Sequence, residues 1–267
     1  FACLAKIARK YQVQSTKVLS MFYCKQLISF TTLITEINIM KYLYLVLLGL
    51  VLYNCKEEKA EIELSADEIV TKSIEKSGGK AFDNSVIRFD FRDKFYVARR
   101  DKGQFSLIRM FKDNNDSVFD LLTNNDFDRF INGSRVILED SMKAKFSASV
   151  NSVHYFSVLP YGLNAEAVNR TLLGSEKIRN KDYYKIKVTF NPDGGGEDYE
   201  DVFVYWFERE NFKVEYLAYS YNEEDGLGMR FREAYNERYV EEIRFVDYNN
   251  YKAENNTLEL FDLGKAF

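Results

Sequence analysis

The chain has 267 residues, enough for one domain with a sizeable core, and a formal net charge of −4. That acidic balance argues against nucleic acid as a partner, because phosphate binding needs a basic surface. Three Cys and a single His exclude a dense disulfide framework and leave little material for thiol or His-based chemistry. Residues 1–39 show no sustained helical or strand period. They read as upstream sequence wrongly joined to the protein; the rival reading is a genuine extension with Leu27–Ile39 as an amphipathic segment.

From Met40 the pattern sharpens. Lys41 is followed by an apolar run from Tyr42 to Leu52, too short to span a bilayer core, which needs roughly 17–25 residues. The run has the length and basic start of a secretory signal and stops at Cys55, with Lys56-Glu57-Glu58-Lys59 directly behind it. Leu52-Tyr53-Asn54-Cys55 resembles a bacterial lipobox, although that pattern prefers small residues where Tyr53 and Asn54 stand. The resemblance implies a signal peptide over 40–54 and lipid on Cys55, which then becomes the first residue of an acylated tether over 55–64. It further implies a cell-envelope lipoprotein anchored in the outer membrane, periplasmic or surface-exposed. The partner there is the membrane, reached through covalent lipid. Without residues 1–54 the chain keeps 31 of its 37 basic and 40 of its 41 acidic residues, a net charge of −9. Two or three acyl chains would supply a membrane affinity that this charge cannot, at about 0.8 kcal/mol per buried methylene.

The domain proper is expected over 65–253. Ser65-Ala66-Asp67-Glu68 reads as a capping box. Ala66, Ile69, Val70 and Ile74 follow at helical spacing, and Gly78-Gly79 supplies the stop. After Asn84 the period changes to two: Val86, Arg88, Asp90 and Arg92 alternate with Ile87, Phe89, Phe91 and Asp93 as a half-buried strand. Further strands are expected over Phe105–Phe111 and Val118–Leu122, then at Phe127–Ile131 and Arg135–Leu138 around the hairpin signal Asn132-Gly133. Met142, Phe146, Val150, Val153 and Phe156 recur at three- and four-residue steps and predict a second helix that Pro160 ends. Strands resume at Leu172–Ile178, Tyr183–Phe190, Asp201–Glu208, Phe212–Tyr221, Met229–Tyr235 and Glu242–Tyr251. Short connections make successive strands antiparallel neighbours. Residues 254–267 are a tail without an assigned element.

The late strands are heavily aromatic, and Val202-Phe203-Val204-Tyr205-Trp206-Phe207 is apolar on both faces. A sheet with one solvated face should alternate more cleanly. Either a helix covers the second face or the sheet curls until one face lines a cavity. In the first case the aromatics are a filled core; in the second, Tyr205, Trp206, Phe207, Tyr216 and Phe231, with Phe146 and Phe156 from the helix, are the ligand-binding candidates. Only one face of a strand can point inward, so Tyr205 and Trp206 cannot both touch a ligand.

The signal, the capped helix, the long antiparallel sheet and the mid-chain helix together resemble envelope carriers of the LolA/LolB class. That resemblance implies an α+β, mainly antiparallel fold: a half-open barrel of meandering strands with one N-terminal helix and one covering helix, sheltering acyl chains. The runs Gly174-Ser175-Glu176-Lys177-Ile178, Tyr183–Phe190, Asp198–Trp206 and Met229–Tyr235 resemble a family of uncharacterised Gram-negative lipoproteins of this kind. Members of it are sometimes labelled deoxyribose-phosphate aldolase. A Schiff-base aldolase barrel needs eight strand–helix units, and this pattern is mostly meander.

No catalytic constellation, metal site or cofactor is read from the residues. His154 stands alone on an apolar helix and reads as packing or as a lid residue. Ser106, Ser117, Ser147, Ser149 and Ser152 sit in no nucleophile-elbow context. Gly194-Gly195-Gly196 lacks the Lys-Ser/Thr of a phosphate loop. Asp193, Glu197, Asp198, Glu200 and Asp201 fit no EF-hand and read as a solvated hairpin loop. Three functions stand side by side: a non-enzymatic envelope protein sheltering an acyl chain or other apolar ligand; a structural or interaction lipoprotein with a filled core; and a hydrolase using carboxylates such as Asp247, Glu233 or Glu215.

Overall fold

In the computed structural model, which describes residues 64–193, 199–223, 226–252 and 259–266, Ser65 caps the first helix, α1 (Ala66–Lys76). The expected capping box is formed. The Glu68 N–H donates to Ser65 Oγ at 3.2 Å, and the Ser65 N–H donates to Glu68 Oε2 at 2.8 Å. Ile69, Val70 and Ile74 are buried, so the helical spacing in the sequence does mark the packed face. Cys55, the apolar run before it, the tether and the leader lie outside the described residues, as do Gly194–Asp198 of the acidic loop.

Among the described residues twelve strands follow in two antiparallel meanders. The first sheet is β1 (Asn84–Phe91), β2 (Lys94–Asp101), β3 (Gln104–Asp113), β4 (Asp116–Thr123), β5 (Phe127–Ile131) and β6 (Ser134–Val136), paired in chain order. The second is β7 (Val168–Ile178), β8 (Lys181–Phe190), β9 (Val202–Glu208), β10 (Val214–Glu223), β11 (Gly226–Val240) and β12 (Ile243–Tyr251), also in chain order. Among the described residues no ladder joins the two sheets, so the architecture stays half-open. The fold class is α+β and mainly antiparallel β. One difference from the sequence reading is local: Arg92-Asp93 is not strand but the β1–β2 turn, with Arg92 at φ 57°. No Gly or Asn advertises this left-handed position, and the alternation runs straight through it.

Between the sheets runs α2 (Asp140–Ser157), the expected covering helix. Its Val150, and Val158 just beyond, pack with Ile87, Ala98, Leu107 and Phe127 of the first sheet. Tyr155, Phe156 and the following Leu159 and Leu163 pack with α1 and with Tyr205, Phe207 and Leu217 of the second. One helix and its exit loop thus hold both sheets.

The described part of the tail is structured. A 3-10 helix, Leu260–Ala266, lies on the other face of the second sheet, where Leu260 and Leu263 pack against Trp206, Tyr216 and Phe231. Gly264 permits the approach: a Cβ there would stand 2.8 Å from Trp206 Cζ2. Lys185, ion-paired to Glu176 at 2.6 Å, also donates to the Phe261 carbonyl and ties the tail down.

Candidate functional site

The described domain holds an open cleft of about 1890 Å³. Its walls are the edge strands β1 and β12, and the C-terminal half of α2 borders it together with Phe190, Phe203 and Tyr219 of the second sheet. The volume exceeds the about 300–1,000 Å³ of ordinary small-molecule pockets. Its lining is amphipathic: Val153, Phe156, Phe203, Phe245 and Tyr248 contribute apolar surface, whereas Arg88, Asp90, Arg92 and Asp247 contribute charge.

The parity of the strands decides which aromatics reach the cleft. Tyr219 stands opposite Phe203 in the β9–β10 ladder, and Leu217 stands opposite Tyr205, so all four share one face. Trp206 and Tyr216 pair on the opposite face, beneath the tail. Of the seven aromatic candidates, Phe156 lines the cleft. Tyr205 and Phe207 share its face but are sealed against α1 and the loop after α2. Trp206, Tyr216 and Phe231 are packed under Leu260 and Leu263, and Phe146 is packed between α2 and the first sheet. The doubly apolar β9 is thus packed on both faces, by helices on one and by the tail on the other, and of its aromatic rings Phe203 borders the cleft. The tail that seals Trp206 was unassigned from sequence, although Leu260 and Leu263 have one-turn spacing.

Cleft residues not singled out from the sequence include Tyr155, Phe203, Tyr219, Arg232 and Tyr248. Phe156, Phe203 and Tyr219 form a ring cluster with centroids 5.3–6.2 Å apart. The Arg232 guanidinium lies 3.8 Å from the Phe156 centroid and donates to Tyr219 Oη at 2.7 Å. Tyr155 and Tyr205 share a hydroxyl hydrogen bond of 2.5 Å, and burial drives both phenols far above their ordinary range. Burial also pushes the Tyr248 phenol up to about 12, against the pull of Arg244 and Arg232, so its hydroxyl is a neutral donor.

Along α2, toward the first sheet, the polar chemistry is of another kind. Arg109, Asp120 and Arg129 stand directly opposite one another on β3, β4 and β5. Both guanidinium groups clasp the fully buried Asp120 carboxylate, at 2.6–3.0 Å. From α2, Ser149 accepts from Arg109 at 2.7 Å and the Phe146 ring lies 3.4 Å from the Arg129 guanidinium carbon. His154 is buried, with Nε2 donating to the Ile108 carbonyl at 3.1 Å and its ring edge-on to Phe89 and Tyr96. Burial, aided by the charges of Arg100 and Arg109, holds its pKa down at about 4.

The three candidate carboxylates are each engaged by a cation: Asp247 by Arg238 at 3.1 Å, Glu233 by Arg179 at 2.5 Å and Glu215 by Lys181 at 3.0 Å. Among the described residues no group of His, Cys, Asp and Glu is placed to hold a metal ion, and no helix is long and apolar enough to cross a membrane.

Residues 41–262 match the model of a family of unknown function, DUF6503. The chain belongs to that family. The DUF6503 match takes in the apolar run and Cys55 as well as the whole β domain. Among solved structures, a LolA superfamily protein from Nitrosomonas europaea is 16% identical, with a TM-score of 0.42 over 73% of this chain and 88% of that one. A DUF1329 family protein from Desulfovibrio piger is 12% identical, with a TM-score of 0.40 over 63% of this chain and 75% of that one. The curated proteins contain no match.

Proposed function

We propose that the protein is a non-enzymatic envelope lipoprotein, held by lipid on Cys55, whose cleft shelters an acyl chain or a similar apolar group. The observation that carries the reading is the cleft itself: about 1890 Å³ of open space bordered by packed aromatic rings between two unpaired sheet edges. A wide cleft whose lining combines aromatic rings with a few polar and charged groups is the usual form of a ligand site. The anchor rests on the signal-length apolar run that ends at Cys55, inside the segment shared with the family. Native mass spectrometry of the full chain taken from membranes tests the cleft, with a co-purified lipid mass expected and bare protein contradicting it. Fractionation tests the anchor separately: the Cys55→Ala chain should leave the membrane, and persistence there after a high-salt wash would refute acylation at this position.

The sealed aromatics under the tail favour the second reading, a structural or interaction lipoprotein, for that face of the molecule. A hydrolase is the weakest reading, because Asp247, Glu233 and Glu215 are each tied to a basic side chain.

A further inference from the structure

Among the described residues two enclosed cations, Arg100 and Arg232, have no carboxylate partner, and of these Arg232 alone lines the cleft. Arg109 and Arg129 share Asp120, Arg244 pairs with Glu237 at 2.6 Å, and Lys185 pairs with Glu176 at 2.6 Å. Among the described residues no carboxylate lies within 4.0 Å of Arg232. It holds only the Tyr219 hydroxyl and the faces of Phe156 and Tyr219, and its shielded Nε–H has no acceptor. Beside it, Tyr248 stands opposite Ala234, one same-face step along β11 from Arg232, and its shielded hydroxyl also lacks a partner. Buried donors without acceptors are costly, and a cation without a counter-ion more so. Both residues line the cleft, next to its aromatic cluster.

We infer that the cleft binds a long-chain amphiphile whose anionic end, a carboxylate or a phosphate monoester, is taken by Arg232 and Tyr248 while its chain lies along Phe156, Phe203 and Val153. The aromatic faces hold the guanidinium in place without neutralising it, leaving its charge for the ligand. Among the described residues no Asp or Glu sits against Arg232 to compete with the incoming anion. The inference rests on the cleft being a ligand site, and the probes separate the two ideas.

The full chain is titrated with palmitate, hexadecyl phosphate, hexadecanol and acetate by displacement of an apolar fluorophore. An anionic probe should bind about tenfold or more tighter than hexadecanol, the worth of one charge-assisted hydrogen bond. The tighter of palmitate and hexadecyl phosphate identifies the headgroup, and acetate should not displace the fluorophore. Arg232→Gln should erase the preference, bringing the anions down to the affinity of hexadecanol for the same variant, whereas Arg232→Lys should keep part of it. Equal binding of the anions and hexadecanol to the parent protein would overturn the headgroup site while leaving the cleft reading intact. No binding of any chain would overturn both. If Arg232→Gln binds neither kind of probe, Tyr248→Phe decides: a several-fold loss for the anion alone supports the site, and no change refutes it.

Discussion

The two halves of α2 meet buried cations in opposite ways. Near its N-terminal half, Arg109 and Arg129 close on a shared Asp120, and Ser149 and Phe146 complete a charge cluster satisfied from within the protein. Near its C-terminal end, Phe156 stacks on Arg232, which among the described residues has rings and a phenol but no carboxylate. The first arrangement is structural, since both guanidinium groups share one buried carboxylate inside the fold. The second leaves a charge facing a cleft.

The largest effect should come from breaking the closed cluster. Asp120→Ala leaves two enclosed guanidinium groups without their carboxylate and should cost about 3–5 kcal/mol in chemical unfolding. Replacing all three as Arg109→Met, Asp120→Leu and Arg129→Met should recover most of that loss, because apolar side chains of similar size avoid the desolvation of the ions. A triple variant as unstable as Asp120→Ala would mean that the charges set the local structure itself.

In the last turn of α2, on its first-sheet side, sits His154, the only His in the chain. Its folded pKa of about 4 lies below the ordinary 6.5, so the unfolded chain takes up a proton that the folded chain refuses. The stability contributed is therefore complete above pH 6.5 and is lost as the pH falls toward 4. By pH 5 the loss should be about 2 kcal/mol. Unfolding at pH 7 and pH 5 should show this fall in the parent and not in His154→Gln; equal falls in both would place the titration elsewhere.

The smallest change should come at the open end. Arg232→Gln removes a cation–π contact together with an unpaired cation, so stability should stay within about 1 kcal/mol of the parent. A loss comparable to that of Asp120→Ala would show that Arg232 is a structural residue and that the contrast between the two halves of the helix is false.

Much of this was legible in the sequence, and the failures have definite causes. Ser65–Glu68 and the spacing of Ile69, Val70 and Ile74 specify α1 because capping and helical period are local. Alternation and short turns specify antiparallel meanders for the same reason. The Arg92-Asp93 turn was hidden because apolar alternation is indifferent to a reversal between two strands whose parity matches. The choice among aromatics was harder: Phe203, Tyr205, Trp206 and Phe207 look alike in sequence, and only the packing of α1, α2 and the tail decides which are sealed. Arg232 could not be singled out, because sequence does not tell a guanidinium paired with a distant acid from one that, among the described residues, is held by rings and a phenol at a cleft.

The most direct test of the central claim is to crowd the apolar stretch of the cleft. Val153 is half-buried on α2 and lines it, so Val153→Trp should obstruct the surface beside Phe156 without disturbing the sealed Trp206 face. An apolar fluorophore should bind the parent saturably and be displaced by palmitate, and Val153→Trp should bind it several-fold more weakly at an unchanged Tm. A parent that fails to bind the fluorophore, or a folded Val153→Trp that binds it equally well, would contradict the account.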